Sequence, residues 1–255
     1  MTPWEMAAVL AAGTGAGAVN AVVGSGTLIT FPVLLATGMP PVTATVSNGL
    51  GLVPGSLTAA VGYREELRGQ RRRVLLLGIG AVLGGLAGAV LLLTLPASAF
   101  ERIVPVLVGL ALVLVACQPW IAKRVRRRRE TGSSPGRRDG GPLLFTGLTL
   151  ASVYGGYFSA AQGIIYVSLM GMLLDETLQR LNAVKNVLAA VVNTVAAVLF
   201  LFFAHFDWTA VLLIAGGSAL GGLIGARTGR RFSPAVLRTL IVSVGTLALV
   251  HLLLN

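Results

Sequence analysis

Polar side chains that can bind a small ion stand inside long apolar runs of this sequence. Amides and hydroxyls donate hydrogen bonds, and a lysine at membrane depth is costly enough that it usually has a partner or a function. The pattern therefore predicts a binding site for a small anion. The candidate substrate-binding residues are Asn20, Gly24, Ser25, Gly26, Thr27, Ser47, Asn48, Ser159, Gln162, Lys185 and Asn186.

Glycine and proline interrupt the apolar stretch from Gly13 to Asn48, and a weaker copy of this pattern lies near residues 155–186. Both residue types break helices and free backbone groups. Broken backbone is tolerated in a bilayer only where protein buries it or water reaches it. Free N–H groups at the start of a half-helix, with the positive end of its dipole, favour an anion. The alternative is a structural turn whose groups are capped.

Lys185 allows two interpretations. It binds an anionic oxygen with help from the neighbouring amides, or it extends to the cytoplasmic interface as a topology anchor. Ser47 and Asn48 stand at the matching place in the first half. Their alternative role is helix–helix hydrogen bonding.

Composition sets the class of protein. The chain has 255 residues, of which 55% are hydrophobic and 11% charged, with a mean hydropathy of +0.84. Soluble domains carry about 25% charged residues, so we expect an all-α, polytopic helical membrane protein. The net charge of +11 comes from arginines in the loops between apolar segments, which is a topology signal rather than a sign of nucleic-acid binding.

Ten apolar segments form two halves, at residues 1–121 and 142–255, joined by a basic linker at 122–141. A shift of 138 positions places Val46-Ser47-Asn48 on Val184-Lys185-Asn186. Each half contains four long segments and one short or broken one. The short segments are predicted at Gly26–Gly38 and Gly163–Leu174. The third segment is predicted at Val42–Tyr63 and the fifth at Ile103–Ile121, with a turn at Pro96–Arg102 before the fifth.

Charge predicts the topology. If the short segments cross the membrane, both termini are extracytoplasmic and 19 of the 20 lysines and arginines lie inside. If they are re-entrant, only 13 lie inside. The positive-inside rule favours the first arrangement. Five crossings per half then give inverted repeats, as in many secondary transporters.

The segment Gly24–Asn48 resembles the TauE/SafE sulfite exporter family, through Gly24, Gly26, Pro32, Gly38, Pro40, Ala44 and Thr45. Lys185 and Asn186 are similar to the family's Lys-Asn element. Many members have a run of glycines where this chain has Gly24-Ser25-Gly26. The resemblance implies transport of sulfur-containing anions such as sulfite or organosulfonates, often as an exporter.

The motifs of nucleotide-driven pumps, metal sites and Ser-His-Asp catalysis do not occur in the sequence. We therefore expect no enzyme, no cofactor and no metal. The expected function is secondary transport of a small anion across the inner (plasma) membrane, by rocking of the halves about a midplane site. The alternatives are a passive anion channel and a non-transporting scaffold or membrane-embedded enzyme. Expected partners are the anionic substrate, the bilayer and anionic lipids at the basic loops; a homodimer is left open.

Overall fold

The computed structural model describes residues 1–130, 140–228 and 234–254, and every regular element in these ranges is an α-helix. Five helices, α1, α5, α6, α9 and α10, are long and apolar enough to cross a membrane. The chain is therefore a polytopic helical membrane protein, as predicted. The helices are α1 (Pro3–Val22), α2 (Thr27–Ala36), α3 (Pro41–Gly51), α4 (Val53–Gly62), α5 (Arg71–Thr94), α6 (Ala97–Glu130), α7 (Gly141–Tyr157), α8 (Gln162–Leu173), α9 (Leu178–Phe203), α10 (Trp208–Thr228) and α11 (Pro234–Leu254).

Two predicted boundaries are wrong. The third segment is two helices, α3 and α4, which meet at Leu52, because Pro54 lacks the N–H that a continuous helix needs. The predicted turn at Pro96–Arg102 is helical from Ala97 onwards, and α6 continues through the first residues of the linker to Glu130. Arginine is a good helix former, so the basic run extends the helix. The predicted linker residues 131–139 lie outside the described ranges.

The two halves of the chain interlock. The most extensive helix packing joins α1 to α10 and α5 to α7, and each of these pairs has one helix from each half. Glycines allow the close approach: a Cβ at Gly221 would lie 2.0 Å from the carbonyl oxygen of Thr14, and one at Gly84 would lie 2.4 Å from that of Thr149. Small residues at such contacts let membrane helices approach each other closely.

Equivalent contacts give the register between the halves. Thr14 and Thr149 are 135 positions apart, whereas their partners Gly221 and Gly84 are 137 apart. The contacts of Gly225 with Ala18 and of Gly88 with Val153 repeat both shifts. Thus α7 is the repeat equivalent of α1 with a shift of 135 positions, and α10 is that of α5 with a shift of 137.

The same comparison aligns α9 with α3 and α4. Gly85 contacts Val192, and Gly222 contacts Gly55. Gly222 lies 137 positions after Gly85, and Val192 lies 137 positions after Gly55, so the two contacts are equivalent. This register makes Asn48 the equivalent of Lys185. The sequence shift of 138, which paired Lys185 with Ser47, is therefore one residue too long in the fold.

Polar contacts place two basic segments at one end of the helices. Arg73 pairs with Glu176 at 2.9 Å, and the guanidinium of Arg180 donates to the carbonyl oxygen of Arg68 at 3.2 Å. The loop before α5 and the start of α9 therefore share one end, as the ten-segment topology predicts. The re-entrant alternative places them at opposite ends and is incompatible with these contacts.

Candidate functional site

The breaks after α1 and α7 meet inside the protein. The N–H of Gly163 donates to the carbonyl oxygen of Gly24 at 3.1 Å, and a Cβ on either glycine would lie 2.5 Å from the Cα of the other. Gly24 has a φ of +88°, which is the left-handed region that glycine adopts without strain. Each helix pair, α1–α2 and α7–α8, forms a hairpin with the break at its tip, and the two tips therefore touch.

Hydroxyl and amide groups continue from this contact. The hydroxyls of Thr27 and Ser159 lie 3.0 Å apart, on opposite hairpins. The Asn48 amide donates to the Thr27 hydroxyl at 3.4 Å, and its oxygen accepts from the hydroxyl of Thr30. The structure thus brings three predicted residues together. Thr30 was not predicted, although its spacing of three from Thr27 on α2 places it on nearly the same face.

Lys185 is buried, with 1% of its surface exposed. Its Nζ donates to the carbonyl oxygens of Asn20 at 2.9 Å and Ala21 at 3.1 Å. The amide of Asn186 also donates to Ala21, at 3.2 Å. The last carbonyls of a helix lack partners within it, and a cation suits the negative end of its dipole.

These contacts make Lys185 and Asn186 a cap for the C-terminal end of α1. The interpretation of Lys185 as an interface anchor is wrong, because the side chain is enclosed. Within the part of the chain that the structure describes, no carboxylate pairs with Lys185. Asn20 takes part through its backbone carbonyl.

The turn between α1 and α2 carries a buried hydroxyl, that of Ser25. Ser25 is 1% exposed, and its Oγ has no hydrogen-bond partner among the described residues. Next to it, a Cβ at Gly26 would lie 2.4 Å from the carbonyl oxygen of Ala16, so the turn packs directly on α1. Ser25 stands just before the N-terminal end of α2.

Two predicted residues are engaged elsewhere. The Gln162 amide donates to the Tyr166 hydroxyl at 2.6 Å, and that hydroxyl lies 2.6 Å from Ser152. Gln162 thereby joins α8 to α7 in a buried network. The Ser47 hydroxyl accepts from the backbone N–H of Asp207 at 3.1 Å, so it ties α3 to the turn before α10.

A small cavity lies beside the C-terminal end of α7. Its volume is about 10 Å³, close to the minimum that one water molecule needs. Its polar lining comes from three helices and the α7–α8 break: Thr45, Asn48, Gly155, Gly156, Ser159 and Asn193. Thr45 was named only in the family motif, and Asn193 was not predicted as a site residue. Asn193 stands seven positions after Asn186 in an apolar helix, so its spacing places it on the same helix face.

This geometry is typical of a class of membrane protein. Two hairpins with short helices meet near polar groups inside a helical membrane protein, an arrangement similar to that at the binding sites of many secondary transporters. Among the described residues, no group of three or more histidine, cysteine or acidic side chains could hold a metal ion.

Comparison with known proteins identifies the family. The family model described as "Sulfite exporter TauE/SafE" matches residues 9–252, and the chain belongs to this family of membrane transporters. A "Probable membrane transporter protein" of Haemophilus influenzae is 25% identical over 240 residues, covering 93% of this chain and 90% of the relative.

Further relatives carry similar descriptions. The "Probable membrane transporter protein YfcA" of Escherichia coli K12 is 26% identical over 242 residues, or 93% of this chain and 86% of the relative. The "Probable membrane transporter protein ORF9" of a Sinorhizobium species is 25% identical over 241 residues, or 93% and 88%. No solved structure matches the chain significantly.

Proposed function

We propose that the protein is a secondary transporter that exports small sulfur-containing anions, sulfite or organosulfonates, across the plasma membrane. One observation carries the proposal: the N-terminal ends of α2 and α8 meet at the hairpin tips beside Lys185, a buried lysine that pairs with no carboxylate among the described residues. The family's description as sulfite exporters supports the choice of substrate.

The charges at the tips favour an anion. The C-terminal ends of α1 and α7 carry about half a negative charge each, and the N-terminal ends of α2 and α8 carry about half a positive charge each. Lys185 donates to the last carbonyls of α1 and so offsets the negative end of that helix, which leaves the positive ends of α2 and α8 facing an anion at the tips.

The donors for an oxyanion stand at the same place. The hydroxyl of Ser25 lies just before α2 and that of Thr27 in its first turn, and Ser25 has no hydrogen-bond partner in the described ranges. A hydroxyl can donate to a sulfite or sulfonate oxygen, and N–H groups at a helix start bind anions. We assign the anion to this turn, facing Ser159 on the other hairpin.

Binding requires the tips to separate, because Gly24 and Gly163 are in direct contact. We propose that opening one hairpin at a time exposes the site to one side of the membrane, which is alternating access. The interlocked packing favours moving bodies that combine both halves: α1, α4 and α10 against α5, α7 and α9. Rocking residues 1–121 against 142–255 as rigid units would break the closest glycine contacts.

We further propose that both termini are extracytoplasmic and that the basic loops contact anionic lipids at the cytoplasmic face. The two repeats, 1–121 and 142–255, are then of opposite orientation. The cluster of Arg68, Arg73, Glu176 and Arg180 would lie inside the cell.

Two measurements test the function. Thermal unfolding of the purified protein in detergent is followed with sulfite, methanesulfonate, taurine, sulfate and chloride; a ligand at 100 times its dissociation constant stabilises by about 2.7 kcal/mol. Uptake into inverted vesicles that contain the protein is then measured for any anion that stabilises it. Saturable, coupled uptake supports the transporter; linear, uncoupled flux indicates a channel. A purified, folded protein with no anion-dependent shift contradicts the proposal.

A further inference from the structure

We propose that the C-terminal end of α7 holds a monovalent cation of about the size of Na⁺, in the seat that corresponds to the Lys185 ammonium. This site shares Ser159 with the proposed anion site and lies next to it, but the cation proposal does not depend on anion binding.

The register between the halves identifies the seat. Lys185 corresponds to Asn48, 137 positions earlier, and the carbonyls of Asn20 and Ala21 that bind its Nζ correspond to Gly155 and Gly156, 135 positions later. The cavity is lined by Asn48, Gly155 and Gly156. It therefore lies where the ammonium would lie if the two halves were identical.

The residues of the two halves explain why the Lys185 Nζ occupies the position beside α1, while the equivalent position beside α7 is a cavity. The lysine side chain is long enough to reach the α1 carbonyls and buries its charge there. Asn48 is shorter, and its amide is bound to Thr27 and Thr30 on α2 rather than to α7. Among the described residues, therefore, no lysine binds the carbonyl end of α7 in the way that Lys185 binds that of α1.

The chemistry of the lining suits a cation. Carbonyl, amide and hydroxyl oxygens are hard ligands, and the C-terminal ends of broken helices bind Na⁺ in secondary transporters. The negative end of the α7 dipole adds to the attraction. Thr45 and Ser159 contribute hydroxyl oxygens, and none of the described residues that line the cavity is a lysine or an arginine. A volume of about 10 Å³ is enough for one small ion or one water molecule.

The first experiment compares cations at equal ionic strength. Thermal unfolding of the wild-type protein in detergent is measured in NaCl, KCl and N-methyl-D-glucamine chloride, without sulfur anions. We expect a rise in melting temperature that saturates with Na⁺ and is smaller with K⁺. Equal melting temperatures in the three salts would show that the cavity holds only water, and would overturn the proposal.

A substitution then supplies the cation covalently. Asn48→Lys places an ammonium at the position equivalent to Lys185, and we expect this variant to lose the Na⁺-dependent shift. Ser168→Ala is the matched control, because the Ser168 hydroxyl bonds only to its own helix, at Ile164; its shift should equal that of the wild type. A folded Asn48→Lys protein that keeps the shift would overturn the proposal.

A milder variant covers the case in which Asn48→Lys fails to fold. Thr45→Val removes one cavity oxygen at nearly constant volume, and the Na⁺ concentration for half of the shift should rise about tenfold, as expected for one lost bond to a charge. An unchanged concentration would place the ion elsewhere. Anion titrations without Na⁺ separate the two proposals: anion shifts without any Na⁺ effect contradict only the cation site, and Na⁺ shifts without any anion effect contradict only the anion transporter.

Discussion

Lys185 and Asn48 hold equivalent positions in the two halves, but Lys185 bonds to the C-terminal end of α1, whereas Asn48 does not bond to the equivalent end of α7. Its Nζ lies 2.9 Å from the carbonyl oxygen of Asn20, whereas Asn48 turns to Thr27 and Thr30. The two halves therefore differ: one places a lysine amine on the end of α1, and the other has a small cavity beside the end of α7.

Replacing Lys185 by methionine should weaken both the fold and anion binding. The change removes a charged donor from two carbonyls at the end of α1, and lost hydrogen bonds to a charged group cost about 1.5–3 kcal/mol. Thermal unfolding in detergent measures the stability, and a sulfite titration measures binding. A folded Lys185→Met protein that binds sulfite with unchanged affinity would show that the lysine is only a cap.

Replacing Gly24 by alanine should separate the hairpin tips. Its φ of +88° disfavours any side chain, and a Cβ there would lie 2.5 Å from the Cα of Gly163. Gly15→Ala on α1 is the control, since a Cβ there meets nothing within 4 Å and alanine favours a helix by about 0.5–1 kcal/mol. We expect a lower melting temperature for Gly24→Ala and an equal or higher one for Gly15→Ala. The reverse order would contradict the tip contact.

Neither half should fold by itself. Because α1 packs on α10 and α5 packs on α7, each half lacks the partners of its own helices. We expect residues 1–130 and 140–255, expressed as separate chains, to be degraded when alone and to co-purify when expressed together. Stable, monodisperse half-proteins that do not associate would contradict the interlocked arrangement.

The ion pairs of Glu176 predict a pH dependence at the basic end. Partial burial alone would raise its pKa, but bonds and charges from Arg73 and Arg180 outweigh this and hold the pKa below the ordinary value of 4.5. A lowered folded-state pKa contributes stability that is complete above the unfolded-state pKa and is lost as the pH falls through the folded-state value.

Glu176→Gln should therefore lower stability at neutral pH by about 1 kcal/mol or less, because the pairs are partly solvent-exposed. The difference from the wild type should shrink as the pH falls below 4.5. Unfolding midpoints across this range measure it, with Glu65→Gln as the control for an exposed carboxylate in the loop between α4 and α5. A difference that does not change with pH would contradict the role of the pairs.

The topology predicts which residues a membrane-impermeant thiol reagent can reach from outside. In a Cys117→Ala background, which removes the single native cysteine, a cysteine at Thr2 should be labelled in intact cells. Cysteines at Arg68 and Arg180, whose chains touch, should react only after the membrane is opened. Labelling of Arg68 and Arg180 positions on opposite sides would contradict the structure, and a cytoplasmic terminus would contradict the proposed orientation.

Residue types and their order along the chain determined the class of protein. Long apolar runs need a bilayer, and glycine and proline breaks paired with polar residues need a protected interior. These local requirements predict the two breaks and the candidates Thr27, Asn48, Ser159 and Lys185 without any knowledge of tertiary contacts. They also indicated the repeat, because the order of long and short segments is itself a local property.

Tertiary structure decided what each polar residue does. Whether Lys185 reaches an anion, the interface or a helix end depends on how close α1 lies to it in space. Its contact Asn20 is 165 positions away in the sequence. From their residue types, Gln162 and Ser47 were as good candidates for the site as the polar residues near them. In the fold, however, Gln162 bonds to Tyr166 and Ser47 to Asp207. The register that pairs Lys185 with Asn48 came from helix contacts, because identity between the halves is too weak to separate a shift of 137 from one of 138. Hydrogen bonds act over about 3 Å, so only the packed helices could determine which groups meet.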